Sequence, residues 1–170
     1  MMRSAFLSGL IFLATGFAAP ATADEIASTY TKHDYESCRE IPSPEPDVID
    51  MRECDGFNGF KVRWGGAPDA TWIEFPGAAD DQDLKLGSFF VVGTTIEWRG
   101  TVVGGTIKPH AAIVRYHTGA GIESQPESSL VIYRLSGTPC AVAIVPGKTP
   151  KANEVARMTA DETGADTPCQ

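Results

Sequence analysis

The chain has 170 residues, with 14 lysines and arginines against 22 aspartates and glutamates, a formal net charge of −8 at pH 7. That length supports one ordinary domain with a real hydrophobic core. The acidity excludes nucleic acid as a partner, because the overall field repels a polyanion and no basic run offsets it. It leaves a basic protein, or a small anionic ligand met by a local patch, as the partner to expect.

Residues 1–23 read as an export signal. Arg3 precedes an apolar run from Ala5 to Ala19, and Ala21 and Ala23 match the A-x-A cleavage pattern. The expected cut falls between Ala23 and Asp24, with a second possible cut before Thr22. The apolar run is shorter than the roughly 20 residues of a membrane span. No cysteine stands at the cut to carry a lipid, since the first is Cys38. The expectation is therefore a leader over 1–23 and a single globular domain over 24–170, exported to the periplasm or secreted, with no membrane insertion of the mature chain.

Residues 24–34 are polar and mixed and are expected to be poorly ordered at their start. Residues 40–50 carry Pro42, Pro44 and Pro46 among acids and read as an extended loop, followed by a turn over 52–56. Strands are expected at Phe60–Trp64 and over 71–75, ended by Gly and Pro punctuation. Asp80, Asp81 and Asp83 lack the glycine and late glutamate of a calcium loop and read as a solvated turn. Further strand signals lie over 87–92, 94–99, 110–117, 129–135 and 140–145, separated by glycines that mark turns or bulges. Thr149 and Pro150 form a helix start signal, and Ala152, Val155, Ala156, Met158 or Thr159, and Ala160 form one apolar face at helical spacing before Gly164. The fold class is α+β: a curved antiparallel sheet of about six or seven strands with one C-terminal helix, disulfide-stapled. The rival architecture is an all-β sandwich or partial barrel.

Cys38, Cys54, Cys140 and Cys169 are even in number and widely spaced. No C-x-x-C pair points to zinc, an iron–sulfur cluster or a redox couple. Four cysteines allow three pairings. The nearest-neighbour pairing, 38 with 54 and 140 with 169, closes a short loop at each end and is the expected one.

The segments Gly93-Thr-Thr-Ile-Glu-Trp-Arg99, Lys108-Pro-His-Ala-Ala-Ile-Val-Arg-Tyr116, Cys140-Ala-Val-Ala-Ile-Val145 and Ala152-Asn-Glu-Val-Ala-Arg157 stand in this order, followed by Ala160-Asp161 and Cys169. With Cys54 and Gly56 they resemble a group of small exported proteins common in alphaproteobacterial genomes. The resemblance spans roughly residues 30–170. It implies export and the cysteine framework and assigns no catalytic residue. The group's Asp-x-Arg is replaced here by Asp83-Leu-Lys85.

Strand parity nominates a surface. Glu97 and Arg99 share one side of their strand and Ile96 and Trp98 the other; Arg115 and Arg134 lie opposite Val114, Tyr116, Tyr133 and Leu135 on theirs. If the strands are neighbours, Glu97, Arg99, Arg115 and Arg134 meet on one face, able to fork onto a carboxylate. The plainer reading is the wet side of a sheet with cross-strand ion pairs. Trp72, opposite Ile73 on its strand, is a candidate stacking residue near Tyr116 or Tyr133. His110 and His117 point to opposite faces, and His33 stands apart, so surface or edge histidines are expected rather than a metal site. No G-x-S-x-G motif is present. No cofactor is expected. These readings converge on a non-enzymatic binding or inhibitory module of the periplasm or envelope, for instance against a basic hydrolase. The alternative is a small hydrolase acting on envelope polysaccharide or peptide.

Overall fold

Alternating apolar and polar residues build most of the molecule, because period 2 turns successive side chains to opposite sides of a strand. The computed structural model describes residues 25–78, 84–121 and 124–170. The leader, its cleavage position and the aspartates at 80, 81 and 83 lie outside the described residues. Among the described residues, nine strands and one α-helix follow in the order β1 (Ile26–Lys32), β2 (Arg39–Glu40), β3 (Asp50–Asp55), β4 (Lys61–Gly66), β5 (Thr71–Glu74), β6 (Phe89–Val103), β7 (Thr106–Gly119), β8 (Glu127–Arg134), β9 (Cys140–Pro146) and α1 (Ala152–Asp161).

The strands form two antiparallel sheets, one of five strands in the order β1-β6-β7-β8-β9 and one of four in the order β2-β3-β4-β5. The α+β class holds, with the expected single sheet divided into two. The main core lies between the sheets: Cys54, Val62, Ile73 and Phe75 meet Ile96, Trp98, Val114, Tyr116, Val131 and Tyr133. Here Tyr116 and Tyr133 share a hydrogen bond of 2.7 Å, and the Tyr116 hydroxyl accepts the Ile73 amide at 3.1 Å. Burial pushes the Tyr116 hydroxyl up to about 12. A second core lies on the other side of the five-stranded sheet, where Ala152, Ala156 and Ala160 of α1 rest on Ala111, Ile113, Leu130 and Ile132.

Several sequence expectations change. The turn expected over 52–56 is instead the strand β3 as far as Asp55, paired residue by residue with β4. The polar segment 24–34 contains β1, paired along its length with β6 from Ile26↔Thr101 to Lys32↔Thr95. The readings over 87–92 and 94–99 join, with Val102 and Val103 beyond them, into one 15-residue strand. Two of the glycines taken as punctuation are at irregularities inside it. At Gly93 a Cβ would stand 2.8 Å from the Arg115 carbonyl oxygen, so the residue is needed where the strands approach. Gly104 and Gly105, with φ of 59° and 77°, form the true two-residue turn to β7. Finally, Thr149 does not cap the helix. The Thr149 carbonyl accepts the Ala152 amide in a preceding turn, Lys151 takes the N-cap place at φ 57°, and no side chain caps the end. The buried stripe is narrower than expected: Met158 is 64% exposed and Val155 is exposed as well.

Both disulfides follow the nearest-neighbour pairing, Cys38–Cys54 and Cys140–Cys169. The first ties the segment before β2 to β3, and the second ties the C-terminal tail to the start of β9. Such bonds persist in an oxidising environment outside the cytoplasm. No helix among the described residues is long and apolar enough to cross a membrane.

Candidate functional site

Glu97, Arg99, Arg115 and Arg134 do share one face of the five-stranded sheet. Arg99 stands opposite Ala111, and Ala111 opposite Arg134; Glu97 faces Ile113, and Arg115 faces Leu130. That face is not open, because α1 and the tail lie across it. Arg99 donates two parallel hydrogen bonds to Asp161, at 2.8 and 2.5 Å, and a third to Ser28 at 2.9 Å. Glu97 accepts from Arg157 at 2.6 Å and from the Ser28 hydroxyl at 2.5 Å. Arg115 donates to Ser128 and to Asn153, both at 2.9 Å. Arg134 is buried and donates to the carbonyls of Thr138, Ala165 and Thr167, beside Cys169.

The four residues expected to recognise a ligand therefore hold the helix and tail in place. The physical reason is the weakness of the alanine stripe. Three methyl groups bury little apolar area, so forked ion pairs at the flanks and the tail carbonyls fix the helix position. The hydrogen bond with Glu97 raises the Arg157 guanidinium above its ordinary value.

Trp72 belongs to a different surface. It lies on β5 opposite Gly65, while Ile73 turns inward, so by strand parity the ring is on the outer face of the four-stranded sheet, turned away from Tyr116 and Tyr133, although it still packs against the margin of the core. A Cβ at Gly65 would stand 2.4 Å from two carbons of the indole, which shows how closely the ring lies on the β4 backbone. The half-buried ring lines an open groove of about 510 Å³ with Ile41, Pro42, Pro44, Met51, Arg39, Glu53, Arg63 and Glu74. The proline loop forms one wall, held by the Ile41 amide on the Met51 carbonyl at 2.9 Å.

The floor of this groove has two rows. Met51, Gly65 and Trp72 stand abreast across β3, β4 and β5. In the next row Arg39, Glu53, Arg63 and Glu74 stand abreast across all four strands, alternating in sign. Arg39 pairs with Glu53 at 2.6 Å, and Arg63 approaches Glu53 at 3.6 Å. The hydrogen bond from Arg39 holds the Glu53 carboxyl below its ordinary value, with the charges of Arg39, Arg63 and Lys61 adding to the effect. Sequence reasoning missed Arg39, Glu53, Arg63 and Glu74. The parity of Arg63 against Trp64, and of Glu74 with Trp72, was a usable signal; what joined them was the register of β4 with β5.

A second cleft runs beside the chain after β1. His33 stacks on Tyr35 with ring centres 5.5 Å apart, and Tyr35 stacks on Trp64 at 6.0 Å. His33, the end ring of this stack, is buried rather than superficial. Its Nε2 lies 2.7 Å from the Thr31 hydroxyl, which also accepts the Trp98 indole N–H. Burial lowers the His33 imidazole below its ordinary value. Among the described residues no group of three or more histidine, cysteine or acidic side chains is placed to hold a metal.

The fold and this surface define a disulfide-stapled, three-layer α+β domain with an open aromatic and charged groove on its outer sheet. Comparison with protein-family models, with curated proteins and with solved structures finds no match.

Proposed function

We propose that the chain is a non-catalytic binding module working in the periplasm or at the cell envelope, and that it recognises its partner through the Trp72 groove. The observation that carries this reading is the conjunction of a partly buried indole and an alternating charge row along one groove of a rigid sheet face. Strand register fixes the donors and acceptors in advance, and an indole offers a large contact area at low entropy cost. The signal-like leader, the disulfides and the resemblance to a group of exported proteins support the location.

The charge row favours binding over hydrolysis. A hydrolase working through carboxylates needs one kept protonated near neutral pH by a raised pKa. Glu53 is shifted the opposite way and stays ionised, as a fixed acceptor does. Purified, disulfide-bonded protein is to be screened against arrays of envelope glycans and peptides, beside the Trp72→Ala variant. Selective retention that disappears with Trp72→Ala, while the unfolding midpoint holds, is expected. Unchanged retention by the variant, or turnover of the retained molecule, overturns the reading.

A further inference from the structure

We infer that the Trp72 groove takes a carboxylate-bearing sugar ring, with Arg63 receiving the carboxylate and Trp72 supporting the ring; this rests on the groove being the recognition surface. The leading observation is a contrast among arginines. Among the described residues, Arg39, Arg52, Arg99, Arg115, Arg134 and Arg157 each donate a hydrogen bond to an acceptor of this chain. Arg63 donates none. Its Nε is shut off from solvent without an acceptor, and Glu53 Oε2, at 3.6 Å, is too far to serve.

The Arg63 side chain is 39% exposed and is held only by the long ion pair with Glu53, so its guanidinium keeps hydrogen-bonding capacity for an acceptor that reaches its outer nitrogens. The best complement to a planar guanidinium fork is a carboxylate taken through two parallel bonds. The neighbours argue for one negative charge over two. Arg63 stands between Glu53 and Glu74 in the row, so a dianionic phosphate meets two repulsions that a single carboxylate meets more weakly.

The two-row floor argues for a sugar over a peptide. A pyranose presents a C–H face and a polar rim. Trp72 and Met51 match the first, and Glu53, Arg63 and Glu74 offer acceptors and donors for the second. Arg63 and Trp72 are diagonal neighbours on one face, about 7–8 Å apart in a sheet, a span one ring and its carboxylate bridge. Extended peptides bind sheets through main-chain bonds at an open edge. This groove opens on the face of the sheet, and the edge strand β5 that carries Trp72 and Glu74 already gives its Ile73 amide to the Tyr116 hydroxyl, so a ligand in the groove meets side chains rather than main chain. The volume of about 510 Å³ falls in the ordinary range for small-ligand sites.

The test is calorimetric titration of the purified protein with digalacturonate, a glucuronate-containing disaccharide, neutral digalactose and an acidic proline-containing tetrapeptide. Wild type is expected to bind an acidic disaccharide at least about tenfold more tightly than the neutral one, a difference of about 1.4 kcal/mol. Arg63→Gln is expected to erase that preference by lowering the affinity for the acidic disaccharide to that for the neutral one, and Trp72→Ala to weaken binding of both. Near-UV circular dichroism confirms that each variant is folded. Equal affinity for acidic and neutral sugars, survival of the preference in Arg63→Gln, no binding of either acid, or tighter Arg63-dependent binding of the peptide overturns the inference. If the neutral sugar binds through Trp72 without any preference for acid, the groove remains the recognition surface and only the carboxylate assignment falls.

Discussion

The two outward faces of this molecule use the same side chains for opposite ends. On the five-stranded sheet, Glu97, Arg99, Arg115 and Arg134 are covered by α1 and the tail, and each closes on a partner from that segment or its margin. On the four-stranded sheet no helix lies over Arg39, Glu53, Arg63 and Glu74, which line the groove, and among the described residues Arg63 makes no hydrogen bond. What separates the structural arginines from the one proposed to recognise a ligand is the presence of a cover, and the cover is a property of tertiary packing rather than of the strand that carries the residue. The difference also separates the two disulfides. Cys140–Cys169 secures the tail that covers one face, and Cys38–Cys54 secures the segment bordering the open one.

The largest effect is expected from that second contrast. A Cys140→Ser/Cys169→Ser variant should lose about 3–4 kcal/mol, because it frees the longer of the two loops, with a sequence separation of 29 against 16. A Cys38→Ser/Cys54→Ser variant should lose about 3 kcal/mol. The order should invert for ligand retention, which depends on the border of the groove. Urea unfolding paired with a binding assay reads both quantities, and a tail variant that weakens binding more than the loop variant breaks the assignment of faces.

A smaller effect sharpens the position of Trp72. Gly65→Ala places a methyl against the indole and should cost about 1–2 kcal/mol by overpacking a tight contact. It should also shift tryptophan emission to the red as the ring swings outward. An unchanged spectrum and unchanged stability would show that the ring does not rest on β4.

The smallest effect is a pH dependence at the junction of the sheets. Burial keeps the His33 imidazole below its ordinary value of 6.5, so on acidification the unfolded chain takes up that proton before the folded one. Stability from this group is full above pH 6.5 and declines as pH falls below it. His33→Gln keeps an acceptor for the Thr31 hydroxyl and should flatten that part of the profile. A slope below pH 6.5 identical in the variant would assign it to other groups.

Much of the fold was legible because alternation is a local signal. The faces of Ile96, Trp98, Val114, Tyr116 and Tyr133 were readable from parity, and the cysteine pairing from spacing. The edge strand β1 was not, since ASTYTK offers no apolar side to a reader and is ordered by β6. The length of β6 was hidden by Gly93 and Gly100, which signal a turn and a bulge alike. At the candidate site, parity placed Glu97, Arg99, Arg115 and Arg134 on one side correctly. It could not say that three alanines of α1 would settle there, because a small-residue stripe is a weak hydrophobic signal. Trp72 was legible as a residue of interest, but its companions come from β2, β3 and β4 and are assembled by register alone.

The most direct test compares Arg99→Ala with Arg63→Ala in parallel denaturant titrations. Arg99 and Asp161 are 12% and 28% exposed, so removing Arg99 strands a shielded carboxylate and should cost about 2–3 kcal/mol. Removing Arg63 breaks no hydrogen bond and should change stability by less than about 1 kcal/mol in either direction. Equal losses in the two variants, or a larger loss from Arg63→Ala, would contradict the division of the molecule into a covered structural face and an open recognising one.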